Sequence, residues 1–445
     1  MTQTSPLHPD DNELRFPPKE ELSRFKIALR ALRHRNYRLF FGGQLISLIG
    51  TWMQMVAQSW LVYRLTGSSF LLGSVGFASQ IPVFLLAFVG GTVADRYNRH
   101  RIVIATQSAA MALAFILSVL TLTNIVQIWH IFALSALLGI VNAFDMPGRQ
   151  AFIVELVDKE DLMNAIALNS SVFNGARVLG PSMAGMLIAG IGEGWCFFAN
   201  GVSFSAVIVG LLLMRLKPRR EPVRGRSGLS DLLEGFRYVR RTRPIRALIL
   251  LLALVSMVGM PYSVLMPIFA DRILHGGVRG LGILMGATGV GAVTGALSLA
   301  ARSGTRGLGK VVAYTSAGFG ASLILFSISR SFWLSALFLV PVGFCFMVQM
   351  ASTNTLIQTM VPDRLRGRVM AVHVMVFMGM APFGSLIAGA VAERVGAPLA
   401  ICMGAVLCLI GAGLFMTRLR GLRFAVQSSV QSSGESRSRP ADGTY

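Results

Sequence analysis

Charge is what this sequence is short of. Asp, Glu, Lys and Arg together make up 14% of 445 residues, where an ordinary soluble domain carries about a quarter. Acids are the scarcer sign, with 20 Asp and Glu against 41 Lys and Arg. So few charges cannot cover a water-facing surface, which excludes a soluble globular protein of this length. Cysteine is scarce as well. Cys196, Cys345, Cys402 and Cys408 stand in apolar runs without a CxxC pair; they read as small buried hydrophobes, not as disulfides or ligands. No cluster has metal-ligand spacing and no Ser/His/Asp arrangement appears, so no metal, cofactor or catalytic triad is expected and the chain is not read as an enzyme. Residues 1–35 hold no early apolar core and no cleavage site. A signal peptide is therefore not expected, and insertion falls to the first apolar segment.

What is abundant is apolar sequence, 53% of residues with a mean hydropathy of +0.62. A membrane-spanning helix needs about 20 mostly apolar residues. Twelve such stretches lie near 38–63, 70–94, 101–122, 128–148, 164–190, 194–214, 246–270, 279–301, 310–329, 332–353, 368–392 and 398–417. The fourth and tenth turn polar early at one end. With both termini placed inside, 35 of the 41 Lys and Arg fall on the inner side and five on the outer, while Arg177 lies within the fifth stretch. This is the bias that cytoplasmic loops carry. It also accounts for the net charge of +21 without nucleic acid, since the excess faces anionic lipid headgroups.

The longest polar stretch between segments, 215–245, divides the chain into six segments and six. The expected fold is an all-α polytopic membrane protein: twelve transmembrane helices in two pseudo-symmetric six-helix bundles. Residues 1–37 form an inner arm, 38–214 the first bundle, 215–245 a linker, 246–417 the second bundle and 418–445 a Ser/Gly/Arg/Pro-rich disordered tail. Within the linker, Leu232, Leu233, Phe236 and Val239 share one face of an amphipathic helix. In the arm, Leu22, Phe25, Leu29 and Leu32 do the same. The halves repeat weakly: VDKEDLMNA (Val157–Ala165) and VPDRLRGRVMA (Val361–Ala371) precede the fifth and eleventh segments. Each is followed by a proline-containing run of small residues, GPSMAG at Gly180–Gly185 and APFGSLIAG at Ala381–Gly389. Internal repeats of this kind build midplane binding sites in transporters.

Several motifs carry chemistry. After the second segment the chain reads GGTVADRYNRHR, Gly90–Arg101. The order Gly91, Asp95, Arg96, Arg99, Arg101 resembles the cytoplasmic signature loop of the major facilitator superfamily, with His100 where that family commonly has another basic residue. In the family this loop locks the inner ends of the two halves together, and the resemblance assigns the five residues a gating role. Asp95 is then expected against the start of the eleventh segment, near Arg366–Arg368, where a helix dipole and arginines favour a carboxylate. The fifth segment carries Ala176, Gly180, Pro181, Ala184 and Gly185. It resembles the antiporter motif of drug-exporting facilitators, with alanine for glycine at 176 and 184. Small residues let helices approach and proline bends them, so Gly180, Pro181 and Gly185 are read as a packing hinge, with plain helix packing as the alternative. NAFDMPGRQAFIVELV (Asn142–Val157), together with TGSS (Thr66–Ser69), resembles the facilitators called transmembrane secretion effectors, which include siderophore exporters. That resemblance covers about 35–420. It implies twelve helices, a bacterial inner membrane, export and proton antiport.

Polar side chains in apolar segments are expensive and often functional. Arg177 is the one charge read deep within a segment, and Asp145 and Glu155 are its candidate counter-charges. With Arg149 these form the candidate proton-coupling or charge network; a structural clamp is the plainer alternative for Arg177. Gln54 and Gln58 (i, i+4 on one face), Asn169, Asn174, Gln349, Asn354, Gln358 and His373 are candidate cavity residues, with interhelical hydrogen bonding as the alternative for each. His373 can titrate near neutral pH. GTRGLGKV (Gly304–Val311) has the glycine and lysine spacing of a phosphate loop, but Val311 stands where Ser or Thr is needed, so direct ATP use is not expected. The expected function is a proton-coupled exporter of small amphiphilic molecules, working as a monomer with the substrate, protons and membrane lipids as its partners. A lipid flippase or importer, and a non-transporting scaffold, are the alternatives.

Overall fold

A computed structural model of the protein describes residues 29–216, 229–302 and 304–418. Most of the arm, linker residues 217–228 and the tail from 419 lie outside the described residues, and with them the expected arm face at Leu22 and Phe25. The first bundle is α1 (Arg35–Thr66), α2 (Ser69–Arg96), α3 (Arg99–Leu122), α4 (Ile128–Leu156), α5 (Leu162–Ile191) and α6 (Glu193–Leu212). A short helix, α7 (Leu229–Arg241), precedes the second. That bundle is α8 (Arg243–Ile273), α9 (Gly277–Ala300), α10 (Leu308–Ile328), α11 (Phe332–Met360), α12 (Asp363–Val395) and α13 (Ala397–Thr417).

All twelve long helices can cross a hydrocarbon layer of about 30 Å at 1.5 Å per residue. Eleven are also apolar enough. The twelfth, α5, is diluted by Asn164, Asn169, Asn174 and Arg177. The apolar stretches near 128–148 and 332–353 continue as helix to Leu156 and Met360. Backbone hydrogen bonds hold a helix together whatever its hydropathy, so the polar residues there end the apolar run and not the helix.

Several connections take only one or two residues. Gly67 closes α1 at φ +62° and the Ser68 side chain accepts from Leu71 N to open α2. A single glycine joins α5 to α6 and another joins α12 to α13: Gly192 and Gly396, at φ +92° and +87°. Only glycine takes this backbone without strain. The one irregular helix is α8, read from sequence as a plain segment near 246–270. It is regularly α-helical to Leu254, then passes through a π turn, a 3₁₀ turn over Met260–Leu265, one α turn over Met266–Ile268 and a second π turn ending at Ile273. Pro261 and Pro267 lack the N–H that the regular ladder needs and crowd the preceding turn.

The packing repeats between the bundles. In the first, α1 lies on α5 and α6, α2 on α4, and α3 on α4 and α6; in the second, α8 lies on α12 and α13, α9 on α11, and α10 on α11 and α13. The two bundles meet through α2 with α12 and through α5 with α9. Exchange the bundles and each contact becomes the other, which is the mark of a pseudo-twofold. The described chain begins and ends on one face, termed here the near face; the opposite one is the far face. In α2–α12, a Cβ on Gly389 would stand 2.7 Å from Ser69 O and 2.9 Å from Gly73 Cα. In α5–α9, a Cβ on Gly282 would stand 2.7 Å from Pro181 O and 3.0 Å from Gly185 Cα. Glycine at both crossings lets backbones touch where lipid offers no hydrophobic drive to association. Both crossings lie in the far-face portion of their helices.

Candidate functional site

A passage between two bundles is defined by where they touch and where they part. At the far face they are tied by side chains as well as by the glycine crossings. Tyr63 Oη at the end of α1 donates to Asp271 Oδ2 at the end of α8, at 2.7 Å. The Arg272 guanidinium lies 5.6 Å from the Tyr63 ring centre. Glu393, near the end of α12, accepts from Ser68 Oγ at 3.2 Å and from Phe70 N at 3.1 Å, at the start of α2. A carboxylate is favoured there because the first turn of a helix presents unsatisfied N–H groups. On the first bundle alone, Arg64 donates to Glu193 at 2.7 Å.

At the near face the signature loop does not bridge the bundles. Asp95 is 59% exposed on its side chain and lies 3.8 Å from Arg99 within its own loop. Arg99 also donates to Ala94 O, Ala151 O and Glu155 Oε1, the last at 2.9 Å. Arg96 is exposed, Arg101 donates its backbone N–H to the Asn98 cap, and nothing lies within 4 Å of a Cβ built on Gly91. The expected contact of Asp95 with Arg366–Arg368 is therefore absent. Arg366 pairs with Asp363 and donates to Gln358 O; Arg368 pairs with Asp231 at 2.8 Å and with Glu234, both on α7. The reason is geometric: the two bundles converge toward the far face, leaving the near ends of α2 and α12 to find partners on their own side. α7 supplies them for α12. Its Gly235 sits against the Arg368 carbonyl and its Leu232 and Val239 pack inward, while Leu233 and Phe236 stay exposed.

Two charges lie within the helices, and the structure separates them. Asp145 on α4 is buried. It accepts from Thr106 Oγ1 at 2.8 Å and Gln107 Nε2 at 2.9 Å on α3, and pairs with Arg149 at 3.3 Å. Arg149 in turn donates to Gln44 of α1 at 2.9 Å. Asp145 is thus neutralised inside the first bundle, and neither it nor Glu155 is the counter-charge of Arg177. Arg177 instead lies between the rings of Trp52 on α1 and Phe346 on α11, 5.7 and 6.0 Å from their centres. A charge at membrane depth costs roughly 2.5–3.5 kcal/mol on insertion scales. Two ring contacts return about 0.5–2 kcal/mol each, which leaves the guanidinium tolerated and its N–H donors unspent.

The uncharged candidates divide the same way. Gln54 accepts from Asn200 of α6 at 2.6 Å and Gln58 donates to Ser135 of α4 at 2.8 Å, so both tie α1 into the first bundle. Asn174 donates to Ser170 O within α5, Asn354 accepts from Gln358 within α11, and Asn169 is half-buried. Gln349 and His373 differ: both are buried on the second bundle, the Gln349 amide and His373 Nδ1 having no hydrogen-bond partner. Gly180 lies against the Trp52 backbone neighbourhood of α1, a Cβ there reaching 2.9 Å from Ile49 O, and Gly185 lies against α9. With Pro181 between them, the motif packs one helix against both bundles.

Residues 30–34 clamp a loop at the near face. Arg30, Arg33 and His34 converge on Asp161 at 2.9, 2.8 and 2.8 Å. The hydrogen bond from the His34 ring, aided by both guanidiniums and against the cost of burial, holds the Asp161 carboxyl below its ordinary value. A cleft of about 620 Å³ beside it is lined by His34, His100, Arg101, Glu155 and Arg215, among others. All its residues belong to the near end of the first bundle, so it does not lie on a path between bundles. Sequence reasoning had no signal for Trp52, Phe346, Tyr63 or Glu393, whose partners come from distant segments. Thr106 and Gln107 were open to the same polar-in-apolar argument that found Asp145.

Two pseudo-symmetric six-helix bundles closed at one face define a transporter of the major facilitator type. The family model described as transmembrane secretion effector matches residues 27–436, and the chain belongs to that family. It is 25% identical over 360 residues to the staphyloferrin A transporter of Staphylococcus aureus (strain NCTC 8325 / PS 47), covering 81% of this chain and 90% of that one. To the multidrug efflux pump Tap of Mycolicibacterium fortuitum it is 26% identical over 389 residues, 84% and 94% of the two chains. The enterobactin exporter EntS of Shigella boydii serotype 4 (strain Sb227) is 25% identical over 338 residues, 76% and 80%. In fold the chain is similar to an inward-facing bacterial homolog of the human lysosomal transporter Spinster, with a TM-score of 0.66 at 15% identity over 88% and 98% of the chains. The same score is reached with an inward-facing bacterial homologue of ferroportin, at 16% identity over 86% and 98%. The protein is a multi-pass membrane transporter of small molecules and not an enzyme.

Proposed function

We propose that the protein is a proton-coupled exporter of small amphiphilic molecules, working by alternating access, with the near face in the bacterial cytoplasm. The observation that carries this reading is the asymmetric closure. Glycine crossings and the Tyr63–Asp271 and Glu393–Phe70 hydrogen bonds seal the far face, while Asp95 and Gly91 make no contact with the other bundle at the near face. A carrier caught open to the cytoplasm has this arrangement. In the opposite state, Asp95 would leave Arg99 and meet the α12 N-terminus, where the dipole favours it, and the far-face bonds would break. The interface through α2–α12 and α5–α9 is the surface on which the bundles rock. Relatives named for siderophore and drug export support the outward direction. The buried Asp145–Arg149 pair is the candidate for coupling, because protonating Asp145 would release Arg149 and the Gln44 bond to α1.

The experiment is transport by the purified protein in proteoliposomes with an imposed pH gradient, using staphyloferrin A, enterobactin and a fluorescent amphiphilic cation. Gradient-dependent movement of at least one of these compounds, lost in Asp95→Asn with the variant still inserted, is the expected result. Movement indifferent to the gradient removes proton coupling. Unchanged transport by Asp95→Asn removes the gate.

A further inference from the structure

The protein's unspent charge at membrane depth lies where a cargo would. Arg177 is the sixteenth of the 30 residues of α5, Trp52 the eighteenth of the 32 of α1, and Phe346 the fifteenth of the 29 of α11. All three therefore sit near the middle of their helices, and the guanidinium is held by a ring from each bundle. Tyr262, in the broken stretch of α8, is within electrostatic reach. Arg177 forms no hydrogen bond or ion pair with any described residue, and it is half-buried, not sealed. Five N–H donors with no acceptor are costly at membrane depth unless something supplies oxygen atoms. Arginine cannot lose its proton to escape that cost, so it is not a proton carrier. Aromatic faces fix the position of the fork without consuming its in-plane donors.

We propose that Arg177 binds the anionic group of the cargo between the bundles, and that the cargo is an organic anion with an aromatic or apolar body. A planar carboxylate suits the guanidinium fork bidentately, and the body would lie against Trp52 and Phe346. Gln349, one turn from Phe346, and His373, one turn from Phe377 where the Phe346 and Phe377 rings meet, add buried polar groups without partners on the second bundle. This rests on the transport reading above and names its substrate class. It also gives a reason for alternating access: a cargo gripped by α5 of one bundle and α11 of the other is held only while the midplane is assembled.

The test is equilibrium binding by calorimetry to the purified full chain in detergent free of anionic lipid. The probes are 2-naphthoate and 2-naphthylmethylammonium, alike in ring and size and opposite in charge. The wild-type protein is expected to bind naphthoate and to reject the ammonium ion. Arg177→Gln should weaken naphthoate roughly ten- to a hundred-fold, the loss of a charge-assisted hydrogen bond, and Arg177→Lys should fall between the two, keeping the charge and losing the bidentate fork. Equal binding of the two probes by the wild type overturns the proposal, and that arm stands even if a variant fails to fold. Undiminished naphthoate binding by folded Arg177→Gln also overturns it. Displacement of naphthoate by added phosphatidylglycerol would assign the site to a lipid phosphate and sink the soluble-cargo form. Binding and movement separate the two readings. Arg177-dependent binding with no transport sinks export and keeps the site; transport with charge-blind binding does the reverse.

Discussion

Gly389→Ala tests the closure of the far face directly. The added methyl would stand 2.7 Å from Ser69 O and 2.9 Å from Gly73 Cα, and backbone atoms cannot swing aside as a flexible side chain does. Restoring ordinary contact requires α2 and α12 to part by roughly 0.7 Å, since non-bonded carbon contacts settle near 3.5 Å. Overpacking of this kind costs about 1–3 kcal/mol. The cost falls only on the state in which the far face is closed, so the population should shift roughly five- to 150-fold toward the state open there. The assay is electron–electron distance measurement between spin labels at Phe70→Cys and Val395→Cys, exposed positions flanking the crossing, in a background lacking the four native cysteines. The parent should give a short, narrow distribution and Gly389→Ala a longer population. Gly282→Ala, with its Cβ 2.7 Å from Pro181 O at the other crossing, should do the same. An unchanged distribution in both, from protein with normal melting behaviour, would refute the claim that these crossings hold the far face shut.

The remaining predictions separate structure from mechanism. Gly91→Ala meets nothing within 4 Å, so its melting temperature should match the parent; a loss of transport with unchanged melting would place Gly91 in the state closed at the near face, and a loss of stability would contradict the open geometry. Asp145→Asn takes the carboxylate from the half-buried Arg149 and from the Thr106 and Gln107 donors and should cost about 1.5–3 kcal/mol in denaturant unfolding, where a surface pair would cost almost nothing. Asp161→Asn should matter only where the carboxylate is charged. The folded value is depressed, so the stabilisation is complete above the unfolded carboxylate pKa of ~3.9 and fades as pH falls through the lower folded value. Melting curves should show the parent ahead of Asp161→Asn near neutrality and level with it in strong acid; a gap that persists at low pH would point to packing instead.

Much of the architecture was legible because a membrane leaves few choices. Every backbone group must be satisfied inside a helix and every helix must span a fixed thickness, so apolar length and the placement of arginine outlined twelve segments before any contact was known. The repeated small-residue runs likewise pointed to α5 and α12, each of which meets a helix of the other bundle, at Gly185 and Gly389. Local signals also located Asp145, Arg149 and Arg177 as the charges to explain. What sequence could not assign was partners. Asp145 and Arg177 look like a pair on paper, yet one is neutralised by Arg149 four residues on and the other is caged by Trp52 and Phe346. Side-chain direction around a helix, and which helices are neighbours, determine such contacts, and both come from packing of the whole. The same holds for Asp95, whose motif resembles a gate between the bundles but whose carboxylate lies 3.8 Å from Arg99 of its own loop. Composition and periodicity set what each segment is; only the tertiary structure decided which segments meet, at which face, and which charge has no ion-pair partner among the described residues.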